Sequence, residues 1–340
     1  MNNKNLAELR KIRKVAILGA GASADAGAPT ISNFWDKIEE LNKKGRFQKS
    51  ELDKINNVKQ KREQLLPNSN IEEFYSFVDF QINFDVLVPT NTFTRNITYR
   101  IVNKEHKNCT PITPDIQIAG SDKAMFEQLK KDTSWLISKT LHEALKGTND
   151  NIESLYKKII DYFDVTISFN WDILYEYSYK IFNGHSIPTD QLGFNRVMLC
   201  KPALLKLHGS LSWGKCDKCG LYIADNKIEH LIHEGMNCPK CGQNNLLATS
   251  ILPALNKFQI ITKNKDNEKE LPPFRNIWHC AMHSLTDAEE IYCFGYSLSD
   301  TDAHTQIFLK SALQKNINDK IKVNVINKCC GDDLRQRYIK

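Results

Sequence analysis

The sequence predicts an α/β protein with a doubly wound parallel sheet, a mostly helical insertion and a small four-cysteine ribbon. Short apolar runs recur along the 340-residue chain, and each ends in a polar segment that contains glycine or asparagine. Segments with helical periodicity lie between several of these runs, and this alternation is typical of doubly wound sheets. Two Cys-x-x-Cys pairs stand close together late in the chain.

Five apolar runs are predicted to be buried parallel strands, because they are short and continuous rather than alternating. They cover residues 14–18, 164–168, 203–207, 290–294 and 322–326. Helices are expected from about Ala22 and over residues 173–182 and 302–314. Ligands of open α/β sheets bind outside the carboxyl ends of the strands. Functional residues are therefore expected where these strands end.

The predicted organisation has three parts. The core comprises residues 1–38, 160–214 and 246–340, and the ribbon comprises residues 215–245. Residues 39–159 form the insertion, in which residues 70–82 and 133–146 show helical periodicity. Residues 86–119 are rich in β-branched residues and proline and show little periodicity. A long insertion of this kind can serve as a lid, an oligomer interface or a partner-docking surface, and the sequence leaves all three open.

Charge and hydropathy argue against two classes of partner. The 46 Lys and Arg residues only slightly exceed the 40 Asp and Glu residues and are scattered, so direct nucleic-acid binding is not expected. Apolar stretches are far shorter than the roughly 20 residues of a membrane span. The basic N-terminal segment has no apolar leader, so a cytoplasmic location is expected.

Four cysteines form the most specific local pattern. Cys216 and Cys219 make one Cys-x-x-Cys pair and Cys238 and Cys241 the other, about 18 residues later. This spacing is typical of a tetrahedral four-thiolate zinc site, which has no open position and is therefore structural. The alternative is that these cysteines form disulfides or remain free thiols. Disulfides are rare in the cytoplasm, which is the expected location.

A glycine turn follows the first predicted strand. Gly19, Ala20, Gly21, Ser23 and Ala24 lie between that strand and the first helix. Glycines there allow the backbone to approach a pyrophosphate, and a helix N-terminus presents free N–H groups to it, as in Rossmann-like sheets. Helix–strand packing without a ligand is the alternative, and the acidic residue expected about 20 positions later is not clear.

The turn and four later segments resemble the sirtuin family. Residues 19–30 resemble its GAG-x-S turn and small-residue–proline loop, which here ends at Pro29 and Thr30. Further matches follow in the family's order at successive predicted strand ends. Residues 168–172 resemble the QNxD element, 207–210 the catalytic HG, 295–298 the late GxSL loop and 325–327 the strand-end asparagine near the adenosine. The resemblance covers most of the chain apart from the insertion.

The resemblance implies NAD+ as substrate and assigns three catalytic residues. Asn170 would orient the water or the ribose, and Asp172 would hold the nicotinamide carboxamide, although a helix N-cap is the alternative for Asp172. His208 would act as general base, because the ordinary pKa of a histidine lies near neutrality, and the alternative is a hydrogen-bonded core histidine. The implied cofactor contacts are Gly19, Ala20, Gly21, Ser23, Ala24, Pro29, Asn170, Asp172, Gly295, Ser297, Leu298 and Asn327.

Several departures from the family bear on the reaction. Residues 30–35 lack the Asp-Phe-Arg element, residues 250–257 lack the Phe-Gly-Glu strand that docks acylated peptides, and Phe169 replaces glutamine. The late loop extends through residues 297–302 as Ser-Leu-Ser-Asp-Thr-Asp. These features look like the divergent bacterial sirtuin-like NAD hydrolases of antiphage defence. An NAD+ glycohydrolase is therefore expected, and a protein lysine deacylase or a catalytically silent NAD/ADP-ribose sensor remains as an alternative.

The same resemblance implies regulation. An enzyme that destroys NAD+ continuously would kill its host, so gating is expected. A homo-oligomer, or a partner such as a helicase-type ATPase or an Argonaute-like protein, would provide it.

Overall fold

The computed structural model describes most of the chain. The described residues are 12–84, 123–146, 150–194, 201–216, 218–219, 221–224, 236–242, 244–248, 273–298, 302–318, 320–328 and 331–339. The segment 86–119, predicted to be non-helical, and the segment 250–257 lie outside them.

Strands and helices alternate in the two ends of the chain, and the described residues between β1 and β2 form helices and their connections. The described strands are β1 (Lys14–Leu18), β2 (Val165–Ser168), β3 (Ala203–Lys206), β4 (Trp213–Cys216), β5 (Tyr222–Ala224), β6 (Met236–Asn237), β7 (Asn244–Ala248), β8 (Glu290–Phe294) and β9 (Lys322–Ile326). The described helices are α1 (Gly21–Ala24), α2 (Phe34–Lys43), α3 (Lys49–Leu65), α4 (Ile71–Phe84), α5 (Lys123–Leu145), α6 (Asp150–Tyr162), α7 (Leu174–Asn183), α8 (Pro273–Asp287), α9 (Ala303–Gln314) and α10 (Asp332–Ile339).

The main sheet is parallel and has the order β3-β2-β1-β8-β9. This is the Rossmann order. Strands β2 and β3 extend the sheet on one side of β1, and β8 and β9 extend it on the other side, so the switch point lies between β1 and β8. All five predicted strands are present, and the predicted fold class is confirmed. The prediction that all five are buried is wrong for β9, because β9 is the edge strand and its Val323 is 41% exposed.

The sheet is covered by helices on both faces. Alternate residues of β1 point to opposite faces, so Val15 and Ile17 pack with α8 and α9 while Ala16 and Leu18 pack with α6 and α7. Continuous aliphatic runs are what a strand buried on both faces requires. The two layers of helices therefore hold the carboxyl ends of the strands in a common, fixed row.

The helices α2 to α5 form a separate core beside this sheet. Their apolar faces, which include Ile38, Ile71, Phe74 and Leu136, pack against one another. Helix α5 begins at Lys123, ten residues before the predicted start, and runs alongside α4. By contrast, the helix predicted from about Ala22 is the single short turn α1. Within the described residues, no helix is long and apolar enough to cross a membrane.

Candidate active site

A crevice of about 510 Å³ lies at the carboxyl ends of β1, β2, β3 and β8. Its volume falls within the range of about 300–1,000 Å³ that is usual for small-molecule sites. The loops after these four strands line one part of the crevice, and residues of α2, α4 and α5 line another. The crevice therefore occupies the switch point of the sheet, where ligands of doubly wound folds bind.

The glycines of the turn after β1 allow this turn to pack directly against the loop after β8. The N–H groups of Gly19 and Gly21 donate to the carbonyl oxygens of Phe294 and Gly295, each at 3.0 Å. A Cβ at Gly19 would lie 2.5 Å from the Cα of Tyr296, and one at Gly295 would lie 2.2 Å from the nitrogen of Ala22. Packing between two loops thus explains why these positions carry no side chain. The same packing leaves the backbone of the turn on the crevice surface.

Asn170 and Ser23 connect the β1 turn to the loop after β2. The side-chain Nδ2 of Asn170 donates to the Gly19 carbonyl oxygen at 2.9 Å and to the Ser23 hydroxyl at 3.1 Å. Because both N–H donors of this amide are engaged, Oδ1 is the atom through which Asn170 can meet a ligand. The Ser23 hydroxyl is also 3.0 Å from the buried phenol of Tyr156.

Asp172 is a buried carboxylate held by neutral donors. It accepts the Ser23 hydroxyl at 2.6 Å and the Leu174 N–H, at the start of α7, at 3.0 Å. The N-cap of α7 is Ile173 and not Asp172 as the capping alternative predicted, although Asp172 accepts the N–H of the first helical residue. The Asp172 side chain also lines the crevice. Burial raises the pKa of Asp172, even though Lys206 and the hydrogen bonds act in the opposite direction.

His208 lies in the loop after β3, where its ring is 7% exposed. The ring edge meets Phe169, with the two centroids 5.0 Å apart, and Phe169 stacks on Tyr296 at 4.6 Å. On another side, His208 Nε2 is 3.5 Å from Oδ2 of Asp302. No role was predicted for Asp302. Its sequence signal, an aspartate three residues before Thr305, indicates a helix cap and nothing more.

Beneath the His208 loop lies a buried ion pair. Lys206 is 1% exposed and donates to Glu176 Oε1 and to the Ser210 hydroxyl, each at 3.0 Å. Lys206 also donates to the backbone oxygen of Asp172. Ser210 in turn donates to Glu176 at 2.7 Å. One lysine therefore connects the loop after β2, the loop after β3 and helix α7.

The crevice gathers most of the predicted site residues. Those that line it are Gly19, Ala20, Gly21, Ser23, Pro29, Asn170, Asp172, His208, Gly295, Ser297 and Asn327. Ala24 and Leu298 do not line it, since Ala24 ends α1 and Leu298 is packed into the core of the sheet. The insertion contributes Asn70, Ile71, Glu72 and Leu141, a wall that the sequence analysis did not identify.

The four predicted metal ligands form a second cluster in the antiparallel sheet β5-β4-β7-β6. Their sulfurs all lie within 4.8 Å of one another, with Cys216 3.6 Å from Cys241 and Cys219 3.5 Å from Cys238. Thiolates on a tetrahedral zinc ion, with Zn–S bonds of about 2.3 Å, stand about 3.8 Å apart. The cluster fits a structural zinc ion held by four cysteines.

Comparisons with known proteins return Sir2 structures at low sequence identity and low TM-scores. No protein-family model matches the chain, and no curated protein matches it in sequence. It aligns with a Sir2 homologue mutant in complex with 2'-O-acetyl ADP ribose at 15% identity, over 99% of this chain and 95% of that one, with a TM-score of 0.35. It aligns with a Sir2 homologue–NAD complex at 14% identity, over 100% of this chain and 94% of that one, with a TM-score of 0.33. It aligns with Sir2Tm bound to a propionylated peptide at 14% identity, over 100% of this chain and 97% of that one, with a TM-score of 0.34. The fold assignment therefore rests on the strand order.

Proposed function

We propose that this chain is a sirtuin-like NAD+ glycohydrolase, which uses water to cleave the nicotinamide–ribose bond and releases nicotinamide and ADP-ribose. The observation that carries the proposal is the convergence of Asn170, Asp172 and His208 with the glycine turn on one crevice. These residues come from the carboxyl ends of three neighbouring parallel strands. Dinucleotides bind at this place in Rossmann-like sheets.

The proposed orientation of NAD+ follows the sirtuin resemblance. The turn that contains Gly19, Ala20 and Gly21 lines the crevice and would face the pyrophosphate, while Ser297 and Asn327, from the loops after β8 and β9, would face the adenosine. The nicotinamide ribose would then lie near Asn170 and His208. Asp172 is proposed to hold the carboxamide, and its bond to Ser23 also orients the Asn170 amide.

The chemistry asks for a positioned water and a base. When the C1′–N bond breaks, its electron pair passes to the pyridinium ring, nicotinamide leaves as a neutral molecule and the ribose acquires oxocarbenium-like charge. The water oxygen bonds to C1′ and gives its proton to His208, so the products are nicotinamide, ADP-ribose and a proton. Asn170 would fix the water or a ribose hydroxyl through Oδ1, since orientation lowers the barrier.

Two features favour water over an acylated peptide as the acceptor. The chain departs from the deacylating sirtuins in the Asp-Phe-Arg and Phe-Gly-Glu elements. In addition, Asn70, Glu72 and Leu141 of the insertion line the crevice, where they would compete with an extended peptide for space.

The test is nicotinamide release from NAD+ by the purified full chain, without any peptide. We expect release in the parent and its loss in Asn170→Ala and in His208→Ala. Ser178→Ala is the matched control, because this buried α7 hydroxyl does not line the crevice. Release at the parent rate in both site variants would refute the assignment of the catalytic residues.

The alternatives give different products. Release that requires an acylated peptide and yields O-acyl-ADP-ribose would identify a deacylase. Calorimetric binding of NAD+ without product would identify a sensor.

We further propose, from the resemblance alone, that the activity depletes NAD+ in antiphage defence and is gated in a homo-oligomer or by a helicase-type ATPase or Argonaute-like partner. Mass photometry alongside the rate assay tests the first possibility. Full activity in the isolated monomer would contradict gating.

A further inference from the structure

The extended loop after β8 brings a carboxylate to the proposed base. Asp302 follows the Ser-Leu-Ser-Asp-Thr segment, which departs from the sirtuin pattern, and precedes helix α9. Its Oδ2 is 3.5 Å from Nε2 of His208, and both residues line the crevice. Asp302 is 8% exposed and His208 is 7% exposed, so both side chains are buried.

We propose that Asp302 is a positioning residue, which directs His208 Nε2 toward itself and leaves Nδ1 as the nitrogen that accepts the proton in the reaction. In a neutral imidazole only one nitrogen carries hydrogen, and the group that accepts its hydrogen bond selects the tautomer. A catalytic histidine is oriented by a carboxylate in the same way in unrelated hydrolases. The inference deepens the proposed function and rests on it for its kinetic part.

Asp302 is itself held in place. Its Oδ1 accepts the Thr305 N–H at 3.3 Å and its Oδ2 accepts the Thr305 hydroxyl at 2.6 Å, so it caps the twelve-residue helix α9. The Phe169 ring, stacked on Tyr296, restricts His208 from another side. The imidazole therefore lies between an aromatic surface and a fixed carboxylate.

Other titratable groups surround the His208 loop within the described residues. Tyr296 lies on the β8 loop, and burial together with Asp302 raises its pKa. Asp172 lies on the β2 loop, and Lys206 is paired with Glu176 below the loop. The Asp302 carboxylate lies 3.5 Å from Nε2 of the ring, which is within ion-pair distance. A carboxylate this close favours the imidazolium and makes His208 a stronger base.

The decisive variant is Asp302→Asn, because asparagine also caps helices well and retains the shape while it removes the charge. Thr305→Val is the matched control, since it removes the capping hydroxyl and leaves the carboxylate in place. NMR titration of the histidines follows both variants in the full chain, and His208→Gln identifies the His208 signal among the nine histidines. This readout needs neither NAD+ nor turnover.

We expect Asp302→Asn to lower the pKa of His208 by about one unit and Thr305→Val to change it much less. An unchanged His208 pKa in Asp302→Asn would overturn the inference. If the parent releases no nicotinamide either alone or with the proposed partners, the proposed hydrolysis fails, yet the titration still decides whether Asp302 controls His208.

The kinetic part applies to the active enzyme. A general base works when it is neutral, so the acid limb of the rate profile should move to lower pH in Asp302→Asn by the same amount as the His208 pKa. The kcat should fall about tenfold or more with little change in KM. A loss of stability without a shift of the acid limb would show Asp302 to be a helix cap only.

Discussion

Two buried carboxylates, one lining the crevice and one beneath the His208 loop, are held in opposite ways. On the β1–β2 side, Asp172 is held by the Ser23 hydroxyl and the Leu174 N–H, both neutral donors. On the β3 side, Glu176 is held by the Lys206 ammonium and by Ser210. A buried carboxylate with neutral donors keeps part of its desolvation cost, which explains the raised pKa of Asp172. A buried ion pair offsets that cost, but only while both partners are present.

The difference predicts how each side responds to mutation. A single substitution in the neutral network around Asp172 should disturb the orientation of its side chains more than the stability of the fold. The ion pair should lose stability first. Four experiments, in order of expected effect, test this comparison.

The largest effect is expected for Lys206→Met. The change leaves Glu176 charged and without its cation in a site that is 4% exposed. Breaking a buried pair in this way costs about 3–5 kcal/mol, measurable by urea unfolding. The double variant Lys206→Met, Glu176→Leu should recover most of the loss, because it leaves no unpaired charge at position 176. A loss below about 1 kcal/mol in the single variant would show that water or another donor already stabilises Glu176.

Ser23→Ala tests the neutral side. The variant removes one donor from Asp172 and one acceptor from Asn170, so the free energy of unfolding should fall by about 1–3 kcal/mol. Nicotinamide release should fall further than stability suggests, about tenfold or more, since Asn170 loses its orientation. Thr166→Val, at a buried β2 hydroxyl away from the crevice, is the control for stability alone. Equal rates of nicotinamide release in Ser23→Ala and the parent would show that the Ser23 hydrogen bonds do not contribute to catalysis.

Asp172→Asn tests the raised pKa through the pH dependence of stability. Because the folded protein binds the Asp172 proton more tightly than the unfolded chain does, the parent should lose stability as pH rises from the ordinary carboxyl pKa to the raised one. Each unit of pKa difference corresponds to about 1.4 kcal/mol. The stability difference between Asp172→Asn and the parent should therefore move in favour of the variant across this window. A pH-independent difference would contradict a raised pKa.

The smallest effect on the crevice is expected from the metal site. Cys219→Ser should abolish zinc binding, measured as about one metal ion per chain in the parent and none in the variant. The crevice should survive, because Trp213 at the start of β4 is fully buried and packs on Phe194 and Phe274 in the core of the main sheet. The midpoint of the urea unfolding transition that reports on the main sheet should change little. Loss of the whole fold would show that the ribbon supports the His208 loop.

Much of the fold could be predicted because its signals are local. Short continuous aliphatic runs such as residues 14–18 favour strands buried on both faces, and the polar residues that follow them mark the edge where a site forms. The helix expected from Ala22 is the informative failure. Gly27 at φ 93° and Pro29 end it after one turn, and these breakers were visible in the sequence.

The candidate site divides along the same line. Asn170, Asp172 and His208 follow strands directly, so strand assignment was enough to bring them together. The wall formed by Asn70, Glu72 and Leu141 has no such signal, because nothing local says on which side of the sheet an inserted helical bundle packs.

By itself, the amino-acid sequence determined the five parallel strands, the turn at Gly19, the four-cysteine cluster and the residues that stand at the strand ends. These features depend on hydrophobic pattern, backbone freedom and ligand spacing, which are properties of neighbouring residues. Tertiary structure alone decided that Asp302 meets His208 and that Lys206 pairs with Glu176. Each of these contacts joins elements distant in the chain, and burial makes charge pairing between them matter.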